Sequence, residues 1–95
     1  MSAARITHWI DGKAWSGTPQ RSGDVFDPAT GEVTGRVDLA TDAEVDQAVA
    51  AARRALPDWR AMSLARRSTV LFEFRQLLAT RAHEVAAVIT AEHGK

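Results

Sequence analysis

Few residues of this chain have the types and spacing that metal chemistry requires. The histidines are His8, His83 and His93, and none has a metal-ligating partner four positions further on. The zinc-binding pattern HExxH is absent, because Ala87 stands where the second histidine would be. The chain has no cysteine, which excludes a disulfide, a thiolate nucleophile and a cysteine metal site within these residues. We therefore assign no metal-ligating residue.

The motifs for phosphate binding and nucleophilic catalysis are also incomplete. Gly94-Lys95 resembles the end of a phosphate-binding loop, but Ile89 occupies the position of the first glycine of that loop. No GxGxxG sequence is present, and no serine, histidine and acid can be singled out as a triad by their spacing. We assign no catalytic or cofactor-binding residue. Three aromatic residues are interpreted as core or hairpin-packing residues and not as a ligand platform, namely Trp9, Trp15 and Trp59.

The composition predicts a small globular protein. With 95 residues, of which 45% are apolar and 25% charged, the chain forms at most one domain with a modest core. Twelve basic and twelve acidic residues cancel, and the arginines of the second half lack interleaved aromatic residues, so no nucleic-acid partner is expected. The N-terminus has no long apolar core, so we expect no secretion signal and no membrane span. By default we place the protein in the cytoplasm.

Residues 1–40 are predicted to form β-hairpins. β-forming residues at positions 6–10 and 13–15 flank Asp11-Gly12, a dipeptide typical of a type I′ turn. After a polar stretch at positions 20–23, a second hairpin is predicted, with a longer turn in which Pro28 sets φ and Gly31 closes the loop. Gly35 in the returning strand suggests a bulge or a close approach of another backbone.

Residues 41–95 are predicted to be helical. Thr41 and Glu44 have the spacing of a capping box, so the first helix begins after Thr41. Pro57 lacks an amide hydrogen and clashes with the preceding turn, so we expect this helix to end or kink near Leu56.

Two further helices are predicted in the last third of the chain. The second begins at Ser63 or Leu64 and runs to Ala79, a break follows at 80–83, and the third ends at Gly94. Apolar residues follow one another at i, i+3, i+4 and i+7, which places them on one stripe. They are Leu64, Val70, Leu71, Phe74, Leu77, Leu78, Val85, Val88 and Ile89. The apolar stripe needs a packing partner. Phe72 lies on the other side of the second helix, which indicates that a further packing partner is missing there.

Four pieces of the sequence together resemble the start of an aldehyde dehydrogenase. In chain order they are His8-Trp9-Ile10-Asp11-Gly12, Phe26-Asp27-Pro28-Ala29-Thr30-Gly31-Glu32, the helix from Thr41 that closes on Leu56-Pro57-Asp58-Trp59, and Thr90-Ala91-Glu92-His93-Gly94-Lys95. Within that superfamily, the amino-acid sequence at residues 24–28 and 92–95 is most similar to that of the methylmalonate-semialdehyde dehydrogenase branch.

The resemblance implies a fold and a reaction. The fold is α/β, with N-terminal β-hairpins followed by three helices, as in the first part of the NAD-binding domain of the family. The reaction is an NAD-dependent oxidation in which a cysteine thiolate attacks the aldehyde and coenzyme A takes the acyl group from the thioester. The catalytic and nicotinamide-binding residues of the family lie beyond the position matched by Lys95. The full enzyme is expected to be a homo-oligomer.

We therefore interpret residues 1–95 as an incomplete N-terminal part of a cofactor-binding domain, inactive alone. Such a segment exposes apolar stripes and is expected to self-associate or to remain partly molten. Two alternatives remain open at this point. One is the corresponding part of a general NAD(P)-dependent aldehyde dehydrogenase with another substrate. The other is a non-catalytic helical module that pairs through its stripes with a second copy or with a full-length relative.

Overall fold

The computed structural model describes residues 4–95, with strands up to Leu39 and helices from Asp42. The elements are β1 (Ala4–Ile6), β2 (His8–Ile10), β3 (Lys13–Trp15), β4 (Arg21–Phe26), β5 (Val33–Leu39), α1 (Asp42–Ala61), α2 (Leu64–Thr80) and α3 (Ala82–His93). The predicted α/β arrangement of hairpins followed by three helices is confirmed. Among the described residues, no helix has the length and apolar character needed to cross a membrane.

The first hairpin pairs β2 with β3 in antiparallel register. Asp11 and Gly12 have φ angles of 57° and 74°, as a type I′ turn requires, so the predicted turn is confirmed. The hairpin begins at His8, later than predicted. The reason is that Ile6 belongs to β1, which pairs in parallel with β5 and places Ile6 opposite Val37.

The second hairpin joins β4 to β5, and β1 lies on the other side of β5. Its turn is confirmed, with Gly31 at φ 77°. β4 begins at Arg21, so the stretch at 20–23 is mostly strand and not a polar connection. The sheet also explains Gly35, since a Cβ there would lie 3.3 Å from the carbonyl oxygen of Ala4. The register shifts beside it, because Val25 pairs with Gly35 but Phe26 pairs with Val33. Both expectations for this glycine are confirmed.

Helix α1 begins as predicted and ends later than predicted. Thr41 and Glu44 form the full capping box, in which each side chain bonds the backbone of the other residue. The prediction that the helix ends near Leu56 is wrong, because the helix continues through Pro57 to Ala61. Proline removes a single amide donor, and the amides of the following turn can still bond to carbonyls of the preceding turn.

Helices α2 and α3 confirm the predicted break. The hydroxyl of Ser63 accepts a hydrogen bond of 3.2 Å from the Arg66 amide and caps α2. Arg81 alone separates the two helices. Gly94 then ends α3 in the left-handed region at φ 80°, and its amide donates to the Thr90 carbonyl at 2.9 Å. This is the helix end that a glycine favours.

The assembled elements are spread out instead of closing around a core. The radius of gyration is 17.0 Å, whereas a compact domain of this length has about 12–13 Å. Among the described residues, Ala51 is the sole buried apolar side chain. The apolar stripe of α2 and α3 is solvent-exposed throughout, with exposed fractions from 41% at Val85 to 74% at Leu64.

Candidate functional site

Glu44 is the centre of a polar cluster where the first hairpin meets the start of α1. Its carboxylate accepts a hydrogen bond of 3.1 Å from the Thr41 amide and another of 3.1 Å from the Trp15 indole nitrogen. The Thr41 amide is the main reason that the pKa of Glu44 lies below its ordinary value of 4.5, and Trp15 adds to the effect. The residue is buried. Glu44 therefore caps α1 and also attaches that helix to the hairpin.

A second buried carboxylate, Asp38, holds the Arg5 side chain that links the two sheets. Arg5 donates to it from Nε at 3.1 Å and from Nη2 at 2.8 Å, in a bidentate arrangement. These bonds hold the pKa of Asp38 below its ordinary value. The same Nη2 also donates to the carbonyl of Ser16, just after β3. Arg5 thus connects β1 and β5 to the end of the first hairpin.

His8 completes this cluster without forming a hydrogen bond in it. Its Nε2 atom is shielded from solvent, lies 3.9 Å from a carboxylate oxygen of Glu44 and has no hydrogen-bond partner among the described residues. Both carboxylates of the cluster are engaged by strong donors, and no hydroxyl or thiol nucleophile is bonded to a base there. The arrangement suits a structural junction between sheet, hairpin and helix and not a catalytic constellation.

The junction predicts a pH-dependent tryptophan signal. Because the pKa of folded Glu44 is lowered, the junction contributes stability above pH 4.5, and this contribution is lost as the pH falls through the lower folded pKa. We expect fluorine NMR of the fluorotryptophan-labelled protein, with residues 1–95 folded within their complete domain, to show a Trp15 signal that titrates with a midpoint below 4.5. Glu44→Gln should abolish this titration, and Asp46→Asn, at an exposed position of the same helix, should preserve it. A Trp15 signal that does not respond to pH would contradict the proposed coupling between Trp15 and the Glu44 carboxylate.

The other residues that the sequence analysis considered for metal, phosphate or ligand binding do not form a site. His83 and His93 are exposed on α3, and no group of three potential metal ligands occurs among residues 4–95. The Lys95 backbone carbonyl accepts a bond of 2.7 Å from the Thr90 hydroxyl, which extends the helix cap. Trp15 is half-buried and packs in the hairpin as expected, whereas Trp9 is 72% exposed and is not a core residue here.

Two apolar surfaces are the other prominent features. A groove of about 310 Å³ runs between α2 and α3, lined by Phe74, Leu77 and Val85 among others. An open cleft of about 360 Å³ lies between the first hairpin and the alanine face of α1, and its lining includes Trp9 and Ala52.

In the groove the two charged residues, Arg81 and Glu84, bond each other, and in the cleft Asp11 is the one charged residue of the lining. Neither surface therefore offers a set of free converging polar groups to orient a small molecule. Both resemble surfaces that pack against other protein segments.

Sequence reasoning missed three of these features. Glu44 was found as a helix cap, but nothing in the sequence pairs it with Trp15, 29 positions away. Arg5 and Asp38 are 33 positions apart and carry no motif. Arg67 is the third: its Nε atom is shielded from solvent and has no hydrogen-bond partner among the described residues, and the sequence did contain a signal for it. It stands at a stripe position of α2, three residues after Leu64 and four before Leu71, where the pattern otherwise requires an apolar side chain.

The described residues do not fit a dinucleotide. A pyrophosphate site requires glycine-rich backbone at a helix N-terminus. Here the glycines with positive φ lie elsewhere, in turns or after β3 and at the end of α3, and are Gly12, Gly17, Gly31 and Gly94. The starts of α1 and α2 are occupied by the side chains of Thr41 and Ser63. We derive no step of a reaction through a cofactor held by these residues.

Fold and sequence together define the class of this protein. The profile of the aldehyde dehydrogenase family matches residues 15–95, which is most of the chain. The chain belongs to the aldehyde dehydrogenase family. This confirms the resemblance inferred from the four sequence pieces.

The relatives specify the branch. The chain is 41% identical over 91 residues to malonate-semialdehyde dehydrogenase of Listeria monocytogenes serotype 4a, covering 96% of this chain and 19% of the relative. It is 40% identical over 94 residues to the acylating methylmalonate-semialdehyde/malonate-semialdehyde dehydrogenase of Rattus norvegicus mitochondria, covering 99% and 18%. A solved Sinorhizobium meliloti protein, provisionally named methylmalonate-semialdehyde dehydrogenase and complexed with NAD, superposes with a TM-score of 0.93 at 42% identity.

These matches cover the chain but not the relatives. The superposition on the Sinorhizobium protein includes 97% of this chain and 19% of that one. The chain therefore spans about a fifth of the length of the proteins it matches, and its strands and helices correspond to their N-terminal region. The similarity to the methylmalonate-semialdehyde dehydrogenase branch, inferred from residues 24–28 and 92–95, is confirmed.

Proposed function

We propose that these residues form the N-terminal part of an NAD-dependent, coenzyme A-acylating aldehyde dehydrogenase that oxidises malonate or methylmalonate semialdehyde to an acyl-CoA. The observation that carries the proposal is the identity of about two residues in five, over nearly the whole chain, to relatives named for these semialdehydes. The rat relative is named as acylating, and the Sinorhizobium structure is complexed with NAD, which supports coenzyme A and NAD as the co-substrates. A cytoplasmic homo-oligomer remains our prediction for the full enzyme.

The role of the described residues in this enzyme is to build and hold the edge of the cofactor-binding domain. NAD, where it is bound by the full enzyme, accepts the hydride from the substrate. The residues of this chain contribute the scaffold: Glu44 and Arg5 hold the hairpin, the sheet and α1 together, while α2 and α3 present apolar faces. Without a cysteine, residues 1–95 alone have no thiolate to attack an aldehyde, so we propose that they are inactive alone.

The proposal is tested first on the reading frame that encodes the chain. We expect the frame to continue past Lys95 into a cysteine-containing segment, and we expect the purified product to form NADH from malonate semialdehyde only when coenzyme A is present. Propionaldehyde, which lacks the carboxylate, is the control substrate. Oxidation that does not depend on coenzyme A would support a general aldehyde dehydrogenase instead.

A helical interaction module is the second candidate, and the exposed stripe of α2 and α3 favours it. Such a module needs no further chain, so a stop codon directly after Lys95 would support it and contradict the enzyme. The two candidates also differ in their expected assembly. A module should form a species of defined size with a cooperative transition, whereas an incomplete domain should not.

A further inference from the structure

The tip of the first hairpin combines a side chain and a backbone that can react with each other. An aspartate isomerises when the amide nitrogen of the next residue attacks its side-chain carboxyl group, and a next residue without a Cβ hinders this attack least. Asp11 is followed by glycine, and no other aspartate of the chain is. A Cβ built on Gly12 would meet nothing within 4 Å, so the space beside the attacking nitrogen is open.

Neither reacting group is held in place by a strong bond. The Gly12 amide donates no hydrogen bond to another backbone group within residues 4–95. The ion-pair partner of Asp11 is Arg54, whose Nη2 atom lies 4.0 Å from Oδ2, and the two side chains are 63% and 68% exposed. An exposed pair beyond hydrogen-bond distance restrains its side chains weakly. The carboxyl group of Asp11 is therefore free to rotate toward the Gly12 nitrogen.

The other aspartates lack at least one of these features, as three of them show. Asp46 is exposed, but the amide that follows it is bonded within α1. Asp24 lies within β4 and precedes the branched side chain of Val25. Asp27 precedes Pro28, which has no amide hydrogen to lose. The reaction is therefore expected at the hairpin tip and not throughout the chain.

We propose that Asp11 is a site of spontaneous modification, at which the folded protein converts aspartate to isoaspartate. The Gly12 nitrogen forms a bond to Cγ of Asp11, and its proton leaves with the carboxyl hydroxyl as water, which gives a five-membered succinimide. Water then adds to the backbone carbonyl carbon of Asp11, and the bond from that carbon to the Gly12 nitrogen breaks. The main chain now passes through Cγ, and the former backbone carbon is a free carboxylate. One water is released and one is consumed, and nothing is oxidised or reduced.

The new linkage disconnects the hairpin from α1. It adds one atom to the backbone of a two-residue turn, and the register of a hairpin depends on its turn. In the native register Trp15 pairs with His8 and donates its indole hydrogen bond of 3.1 Å to Glu44. A shifted β3 moves Trp15 away from this acceptor. One carboxylate replaces another, so the net charge is unchanged and the effect arises from geometry alone.

The test measures isoaspartate in the protein with residues 1–95 folded within their complete domain. After prolonged incubation in mildly acidic buffer, an isoaspartate-specific carboxyl methyltransferase with a labelled methyl donor should label the tryptic peptide 6–13. The chain contains no asparagine, so deamidation within residues 1–95 does not produce this signal. Asp11→Glu should abolish the labelling of this peptide, because a glutamate would have to close a six-membered ring, which forms more slowly. Asp46→Glu is the matched control and should leave the labelling unchanged.

A synthetic peptide of residues 6–13 gives the rate of the same sequence without the fold. Labelling of this peptide but not of the folded protein would overturn the proposal, because the fold would then protect the turn. Labelling confined to other peptides would overturn it as well, and this result needs only the wild-type protein. In the modified fraction, the fluorine signal of Trp15 should move toward that of exposed Trp9, and an unchanged signal would exclude the loss of the Glu44 contact. No arm measures NADH formation, so failure here is separable from failure of the proposed function.

Discussion

Purified alone, the 95-residue chain is expected to elute as assemblies larger than its 10.3 kDa monomer and to show no sharp transition in the near-ultraviolet circular dichroism of its tryptophans. The physical reason is the lack of a closed core. Large apolar side chains on α2 and α3 stay 41–74% exposed, and such surfaces associate in water. The helices should still be detectable by their far-ultraviolet signal, because their caps are local.

A pair of charge substitutions tests which surface causes this association. Leu77→Glu places a carboxylate in the groove between α2 and α3 and is expected to shift the chain toward monomer. Gln76→Glu adds the same charge at the neighbouring position, outside that groove, and is expected to change the assembly little. Size-exclusion chromatography with light scattering measures both. A wild-type monomer with a cooperative transition would contradict the prediction and would favour an autonomous module.

Gly17→Ala is expected to break the junction between the first hairpin and α1. Gly17 has φ 35°, and a Cβ at this position would overlap the Glu44 carboxylate and lie 2.9 Å from the Trp15 indole nitrogen. The carboxylate would have to move, so Trp15 would lose its acceptor and the capping box would open. In addition, a residue with a Cβ in the left-handed region costs roughly 1–2 kcal/mol. With residues 1–95 folded within their complete domain, the fluorine signal of Trp15 should move toward that of exposed Trp9.

Gly12→Ala is the matched control for this prediction. Gly12 also has a positive φ, of 74°, but a Cβ there meets nothing within 4 Å. It therefore carries the backbone strain without the collision, and we expect the Trp15 signal and its titration with Glu44 to be preserved. If Gly17→Ala and Gly12→Ala gave the same Trp15 signal, the collision with Glu44 would be excluded as the cause.

The sequence alone determined the features that depend on neighbours along the chain. Asp11-Gly12 predicted its turn because only residues tolerant of positive φ form one, and Thr41 with Glu44 predicted the start of α1 because a capping box is made within four residues. Gly94 predicted the end of α3 for the same kind of reason. The family was identified in the same way, since its signature pieces are short stretches of sequence.

Only the tertiary structure decided which distant residues meet. Arg5 reaches Asp38, and Trp15 reaches Glu44, because β1 adds in parallel to β5 and the first hairpin lies near α1. Such contacts depend on strand register and packing, which leave no periodic mark in the sequence. The continuation of α1 through Pro57 is a different case, because residues 52–60 are exposed and the amides of the turn after the proline can still bond to preceding carbonyls. The shielding of Arg67, by contrast, is a property of packing, and it is what distinguishes this arginine from the exposed arginines around it.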